Sequence, residues 1–158
     1  MTLYLIRHAH AVTAEEDPAR PLSDRGRDQV ARLVAYLRQA NIFQPDEIWC
    51  SSLARARETA RLLTVGLKLS APLVECPGLE PEADPRRTVA RIEAATGRLA
   101  IVGHQPHLGA LAALLLQDPV GSHDFKKGAI VALAGQPKPW RMLWGISPDM
   151  LGPQGKKN

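Results

Sequence analysis

The sequence predicts an α/β sandwich with a largely parallel central sheet flanked by helices, and three observations carry that prediction. Short apolar runs of strand length alternate with longer stretches whose apolar residues recur at helical period. Ser23, Pro45, Gly97 and Pro106 punctuate the junctions. Three strand-like runs end in polar residues of related chemistry: Arg7-His8, Ser51-Ser52 and Gly103-His104. In a parallel sheet those ends share one edge, and in open α/β sheets ligands bind there.

Taken in order, Thr2–Arg7 is a strand, because Leu3-Tyr4-Leu5-Ile6 suits a buried sheet position. Asp24–Gln39 is a helix with Val30, Leu33, Val34 and Leu37 in one stripe and Ser23 as its N-cap. Glu47–Cys50 is a short strand after Pro45. Ser51-Ser52 open a second helix to about Leu67, with Leu53, Ala56, Ala60 and Leu63 on one side. Leu73–Glu75 forms a short strand, and a Pro- and acid-rich loop runs from Pro77 to Pro85. A helix across Thr88–Ala95 closes at Gly97. Leu99–Gly103 is a strand, and Pro106 begins a helix carrying Leu108, Leu111, Ala112 and Leu115. Strands at Ala129–Leu133 and Trp140–Trp144 complete one domain, residues 1–146. Pro, Gly and Lys from Ser147 onward predict a loosely ordered tail over residues 147–158.

The composition narrows the partners. With 158 residues, 45% hydrophobic and 23% charged, the chain is an ordinary soluble domain, expected to be a monomer. A 4% aromatic share disfavours base-stacking surfaces, and the net charge of +4 is spread over pairs such as Arg86-Arg87 and Lys126-Lys127. Nucleic acid is therefore not the expected partner. Leu108–Leu116 falls far short of the roughly 20 apolar residues of a membrane span, so no membrane partner is expected either. Two cysteines without C-x-x-C spacing, and no basic region followed by an apolar signal core, point to a reduced, cytoplasmic protein.

Arg7, His8, Arg55 and His104 are the candidate catalytic residues. An arginine offers a planar fork of donors matched to phosphate oxygens. The helix opening near Ser52 adds backbone N–H groups to such an anion site. An unprotonated imidazole can accept a phosphoryl group covalently, and a second, if protonated, can stabilise charge on it. Singly, each residue reads as a surface, capping or core group. Jointly, at equivalent strand ends, they read as a phosphoryl site. His10 and His107 create H-x-H and H-x-x-H spacings with His8 and His104, but no carboxylate occupies a matching strand end, and two arginines oppose a bound cation. No metal ligand set is predicted. His123, in a Gly-Ser-His-Asp loop, reads as solvated.

These motifs resemble the histidine phosphatase superfamily. Arg7-His8-Ala9 is similar to its Arg-His-Gly signature except at Ala9. Residues 51–60 are similar to its Ser-Pro-x-x-Arg-Ala-x-x-Thr-Ala stretch, with Ser52 in place of proline, and Val102-Gly103-His104-Gln105-Pro106 is similar to its second-histidine motif. The resemblance implies a phosphoglycerate-mutase-like fold, His8 as phospho-accepting nucleophile, and a phosphate pocket of Arg7, Arg55 and His104. It implies no metal and no other cofactor.

Ala11 and Ala14 stand where mutase-type members carry Thr and Asn. Arg20-Pro21-Leu22-Ser23, followed by Gly26, resembles the small SixA-type phosphohistidine phosphatases, whose short length leaves no cap domain. Arg20 thereby becomes a candidate substrate-binding residue. Glu80 and Glu82 are candidate general acids, against the plainer reading of a solvated acidic loop. The implied substrate is a phosphohistidine-bearing protein. A phosphorylated small molecule is the alternative within enzymes, and a non-catalytic phosphate-binding module the alternative outside them.

Overall fold

The computed structural model describes residues 1–152 of the chain. Six strands form one sheet: β1 (Thr2–Arg7), β2 (Glu47–Cys50), β3 (Leu73–Glu75), β4 (Arg98–Gly103), β5 (Ile130–Ala134) and β6 (Arg141–Ile146). Their spatial order is β3-β2-β4-β1-β5-β6. The pairs β3–β2, β2–β4 and β4–β1 are parallel, whereas β5 runs antiparallel to β1 and to β6. Four helices connect them: α1 (Asp24–Ala40), α2 (Ala54–Gly66), α3 (Pro85–Glu93) and α4 (His107–Leu116).

Strand alternation builds the three layers. On β1, Tyr4 and Ile6 pack with Val30, Leu33 and Leu37 of α1 and with Ala56, Ala60 and Leu63 of α2. Leu3 and Leu5 face the other way, toward Ile92 of α3 and Leu108 and Leu111 of α4. The same alternation along β4 sends Ala100 and Val102 to the first layer and Leu99 and Ile101 to the second.

Register fixes the functional edge. Arg7 pairs with Gly103, and Cys50 with Val102, so β1, β2 and β4 end level with one another. The segments leaving that edge, 8–23, 51–53, 76–84 and 104–106, hold no helix or strand beyond the bridge Ala11–Leu22. No cap is inserted over the edge among the described residues.

Several boundaries differ from expectation. Ser51 and Ser52 lie outside α2, because the Ser51 side chain accepts a hydrogen bond from Leu53 N (3.2 Å) and turns the chain before Ala54 begins the helix. Helix α3 starts earlier than Thr88, since Asp84 caps it through Arg86 N (3.0 Å) and Pro85 supplies its first turn. The segment after β6 is ordered where looseness was expected. Residues Pro148–Met150 form a 3-10 turn, Ser147 and Pro148 are buried, and Leu151 packs on the α1–α2 layer. Apolar contact and the Lys126–Asp149 ion pair (2.8 Å) offset the weak propensity of that segment. Residues 153–158 of the expected tail lie outside the described residues.

Candidate active site

His8 leaves β1 at the level edge and is 4% exposed. Backbone bonds immobilise it: His8 N donates to Gly103 O (2.9 Å), and Gly128 N donates to the carbonyls of Arg7 (3.1 Å) and His8 (3.0 Å). Ala9 N donates to Thr59 Oγ1 (3.1 Å), and that hydroxyl donates to Arg55 O (2.7 Å). The nucleophile loop is thereby tied to α2 one turn from Arg55. His8 Nδ1 lies 2.7 Å from Ala9 O. A carbonyl only accepts, so Nδ1 carries the proton and the lone pair sits on Nε2.

His104 follows β4, with its ring centroid 5.1 Å from that of His8 at an interplanar angle of 54°. Its Nε2 is hydrogen-bonded to Ser51 Oγ (2.8 Å), a buried serine from the end of β2. Arg7 donates through Nη1 to Phe125 O (2.6 Å). Three buried nitrogens of this group, Arg7 Nε, Arg55 Nε and His104 Nδ1, have no hydrogen-bond partner among the described residues. Buried donors without acceptors are costly, and here they cluster on cationic or ionisable groups.

Burial pushes His8 down to about 4, with the cations of Arg55, Arg7 and Lys127 acting in the same direction and the Ala9 hydrogen bond opposing. Burial and the neighbouring His8 and Arg55 push His104 down to about 3. Both rings are therefore neutral at pH 7. The second imidazole, which stabilises the charge of a transferring group if protonated, takes a proton only where an entering anion offsets its burial. The arginines, though lowered mainly by burial, remain cationic.

The structure brings Arg7, His8, Arg55 and His104 together, and it places Arg20 nearby. Arg20 adopts a left-handed backbone (φ 49°), donates through Nε to Val12 O (3.1 Å), and its charge reaches Arg55. Glu80 and Glu82 are not drawn into the group. The Glu80 carboxylate accepts from Gly78 N (3.0 Å) and its charge acts on His107, while Glu82 is exposed. No carboxylate figures among the charges acting on His8 or His104.

His10 Nδ1 is engaged by Ser23 Oγ (2.6 Å), and His107 Nε2 by Thr88 Oγ1 (2.9 Å). His123 is half-buried rather than solvated, because Asp118 pairs with it at 2.7 Å. Sequence reasoning missed Ser51 as the partner of His104 and Lys127 as a neighbour of His8. The Ser51–Arg55 spacing held a signal for the first. Nothing local marks the second, which the antiparallel β5 delivers from far along the chain.

Two arginines and two imidazoles at one sheet edge are able to bind and transfer a phosphoryl group, and the comparisons with known proteins give the family to which the chain belongs. The sequence model of the histidine phosphatase superfamily (branch 1) matches residues 3–81, and the chain belongs to that superfamily. An uncharacterised protein of Picosynechococcus sp. strain PCC 7002 is 33% identical over 141 residues, 84% of each chain. Among solved structures, the protein histidine phosphatase SixA complexed with tungstate superposes with a TM-score of 0.84 at 24% identity, covering 95% of this chain and 99% of that one. A putative alpha-ribazole-5'-P phosphatase from Escherichia coli K-12 gives 0.76 at 22% identity over 94% and 98% of the two chains. Both share this fold. No helix among the described residues is long and apolar enough to cross a membrane.

Proposed function

We propose that the chain is a SixA-type phosphatase that removes the phosphoryl group from phosphohistidine on a partner protein through a phospho-His8 intermediate, in the cytoplasm. The observation that carries this reading is the free Nε2 of neutral His8 beside the unpartnered nitrogens of Arg7, Arg55 and His104. His8 Nε2 attacks phosphorus as the P–N bond to the substrate imidazole breaks, and the proton that this ring already carries on its other nitrogen lets it leave as neutral imidazole. Water then attacks the phosphoryl group, the bond to Nε2 breaks, and inorganic phosphate departs with His8 restored. Arg7 and Arg55 neutralise the non-bridging oxygens, and His104 donates to one of them. Arg20, whose charge reaches Arg55, adds a further cation toward the substrate.

Two features favour a protein phosphohistidine over a small phosphomonoester. Among the described residues the edge carries no cap to enclose a metabolite. An alkoxide also needs a proton donor far more than an imidazole does, and no carboxylate charge reaches His8 or His104. The tungstate bound by SixA, a tetrahedral oxyanion, is consistent with such a pocket.

The test is to trap the phosphoenzyme with a phosphoramidate donor. An acid-labile, base-stable adduct in the wild type that vanishes in His8→Ala supports the reading. A folded wild type that binds phosphate but forms no adduct and turns nothing over is instead a binding module.

A further inference from the structure

A hollow of about 310 Å³ opens beside the Arg7-His8 corner, lined by His10, Arg25, Gln29, Lys127 and the paired Lys126 and Asp149. Its position relative to the nucleophile is fixed by backbone. Gly128, with φ 78°, donates its N–H to the carbonyls of both Arg7 and His8, so the preceding Lys127 is held against the corner that carries the nucleophile.

The hollow is rich in donors without acceptors. Asp149 is occupied by Lys126 at 2.8 Å and by the Ser147 hydroxyl. Gln29 Oε1 accepts from His10 N (2.8 Å), which leaves its amide N–H groups free to donate. Neither Arg25 nor Lys127 has an ion-pair partner among the described residues. The charges acting on half-buried Lys127 are Arg7, Arg20 and Arg25, all positive, and the Glu16 carboxylate reaches His10 instead. With Asp149 neutralised by Lys126, the unpaired cations Arg25 and Lys127 raise the local potential for an anion.

We propose that this hollow is a specificity subsite for a second anionic group of the substrate, an aspartate or glutamate side chain beside the phosphohistidine, held by Lys127 and Arg25 while the phosphoryl group occupies the His8 pocket. This rests on the phosphohistidine reading above. One phosphoryl group already has Arg7, Arg55 and His104 for its oxygens. The cations of the hollow serve a separate charge on the same substrate.

The experiment uses the full chain and phosphohistidine peptides bearing Glu or Gln at each of the two positions on either side of the phosphohistidine. The wild type is expected to favour at least one Glu peptide over its Gln twin by about fivefold in kcat/KM, a preference that shrinks in high salt. In Lys127→Gln and Arg25→Gln the ratio falls toward one, whatever happens to the absolute rates. Turnover of all peptides at equal rates by the wild type overturns the subsite and leaves the phosphohistidine reading intact. Turnover of small phosphomonoesters but of none of the peptides overturns the phosphohistidine reading instead. The same comparison is then made between a small bisphosphate and its monophosphate. A preference for the bisphosphate that Arg25→Gln abolishes supports an anion subsite at this place, and equal turnover removes it.

Discussion

Ser51 Oγ lies 2.8 Å from His104 Nε2, joining the end of β2 to the end of β4 inside the buried floor of the site. The serine also accepts from Leu53 N (3.2 Å), and among the described residues the imidazole is the one group within reach that can accept its own proton. With Nε2 accepting, His104 carries its proton on Nδ1, the nitrogen that has no partner among the described residues. Ser51 thus selects the tautomer that can donate to a phosphoryl oxygen. Ser51→Ala is expected to lower kcat about tenfold, with a smaller change in KM, and to cost about 1–3 kcal/mol of stability. Steady-state kinetics beside urea unfolding separate the two effects. Loss of stability with unchanged kcat would leave Ser51 a purely structural residue.

The depressed pKa of His8 sets the acid limb of activity. The reactive form is the neutral ring, and burial holds its folded pKa at about 4. The active fraction therefore stays high as pH falls from 7 to 5 and halves near 4, whereas an unperturbed imidazole would lose half by about 6.5. A profile of kcat/KM, corrected for ionisation of the substrate, should show its acidic midpoint well below 6. A midpoint at 6.5 contradicts the buried, cation-flanked environment.

The same shifts couple folding to pH. His8 and His104 are lowered to about 4 and about 3, so between those values and about 6.5 the unfolded chain binds more protons than the folded one. Stability is full above 6.5 and falls as the pH drops through that window, by roughly 3 kcal/mol for His8 alone. Urea unfolding at pH 7 and 4.5 should show this loss, and His8→Gln should reduce it. An equal slope in the variant would assign the acid sensitivity to other groups.

The residues that converge were legible because topology did the work. A strand ending in Arg-His, one ending in Ser-Ser and one ending in Gly-His need only parallel neighbours in register to meet, and Arg7–Gly103 and Cys50–Val102 are such pairs. Helix starts were less legible where the capping residue is unusual. Leu53 caps α2 without a side-chain bond, and Asp84 looked like part of an acidic loop. The order after Ser147 depends on Pro148 meeting Gly128 and on Asp149 finding Lys126, contacts between distant segments that periodicity cannot reveal.

Glu80 illustrates the reverse case, a chemically attractive residue that the backbone uses locally. Its carboxylate folds back onto Gly78 N and faces His107, not His8. Glu80→Gln and Glu82→Gln are expected to change phosphohistidine turnover less than about threefold, because the leaving imidazole needs little help. A hundredfold loss in either variant would mean that the loop swings over His8 during turnover and supplies the acid.

Gly26 makes the last prediction. It lies in the first turn of α1, where its N–H donates to the N-cap Ser23 Oγ (3.1 Å), and a β-carbon there would collide with the carbonyl oxygen of His10. That carbonyl also accepts from Ser23 N (3.0 Å), so it has little room to withdraw. The helix can approach the nucleophile loop only because position 26 has no side chain. Gly26→Ala is expected to destabilise the fold by about 1–3 kcal/mol, as overpacking does elsewhere, and to lower kcat by displacing the loop that follows His8. If Gly26→Ala leaves both stability and kcat unchanged, the close approach of α1 to His10 contributes nothing to the site.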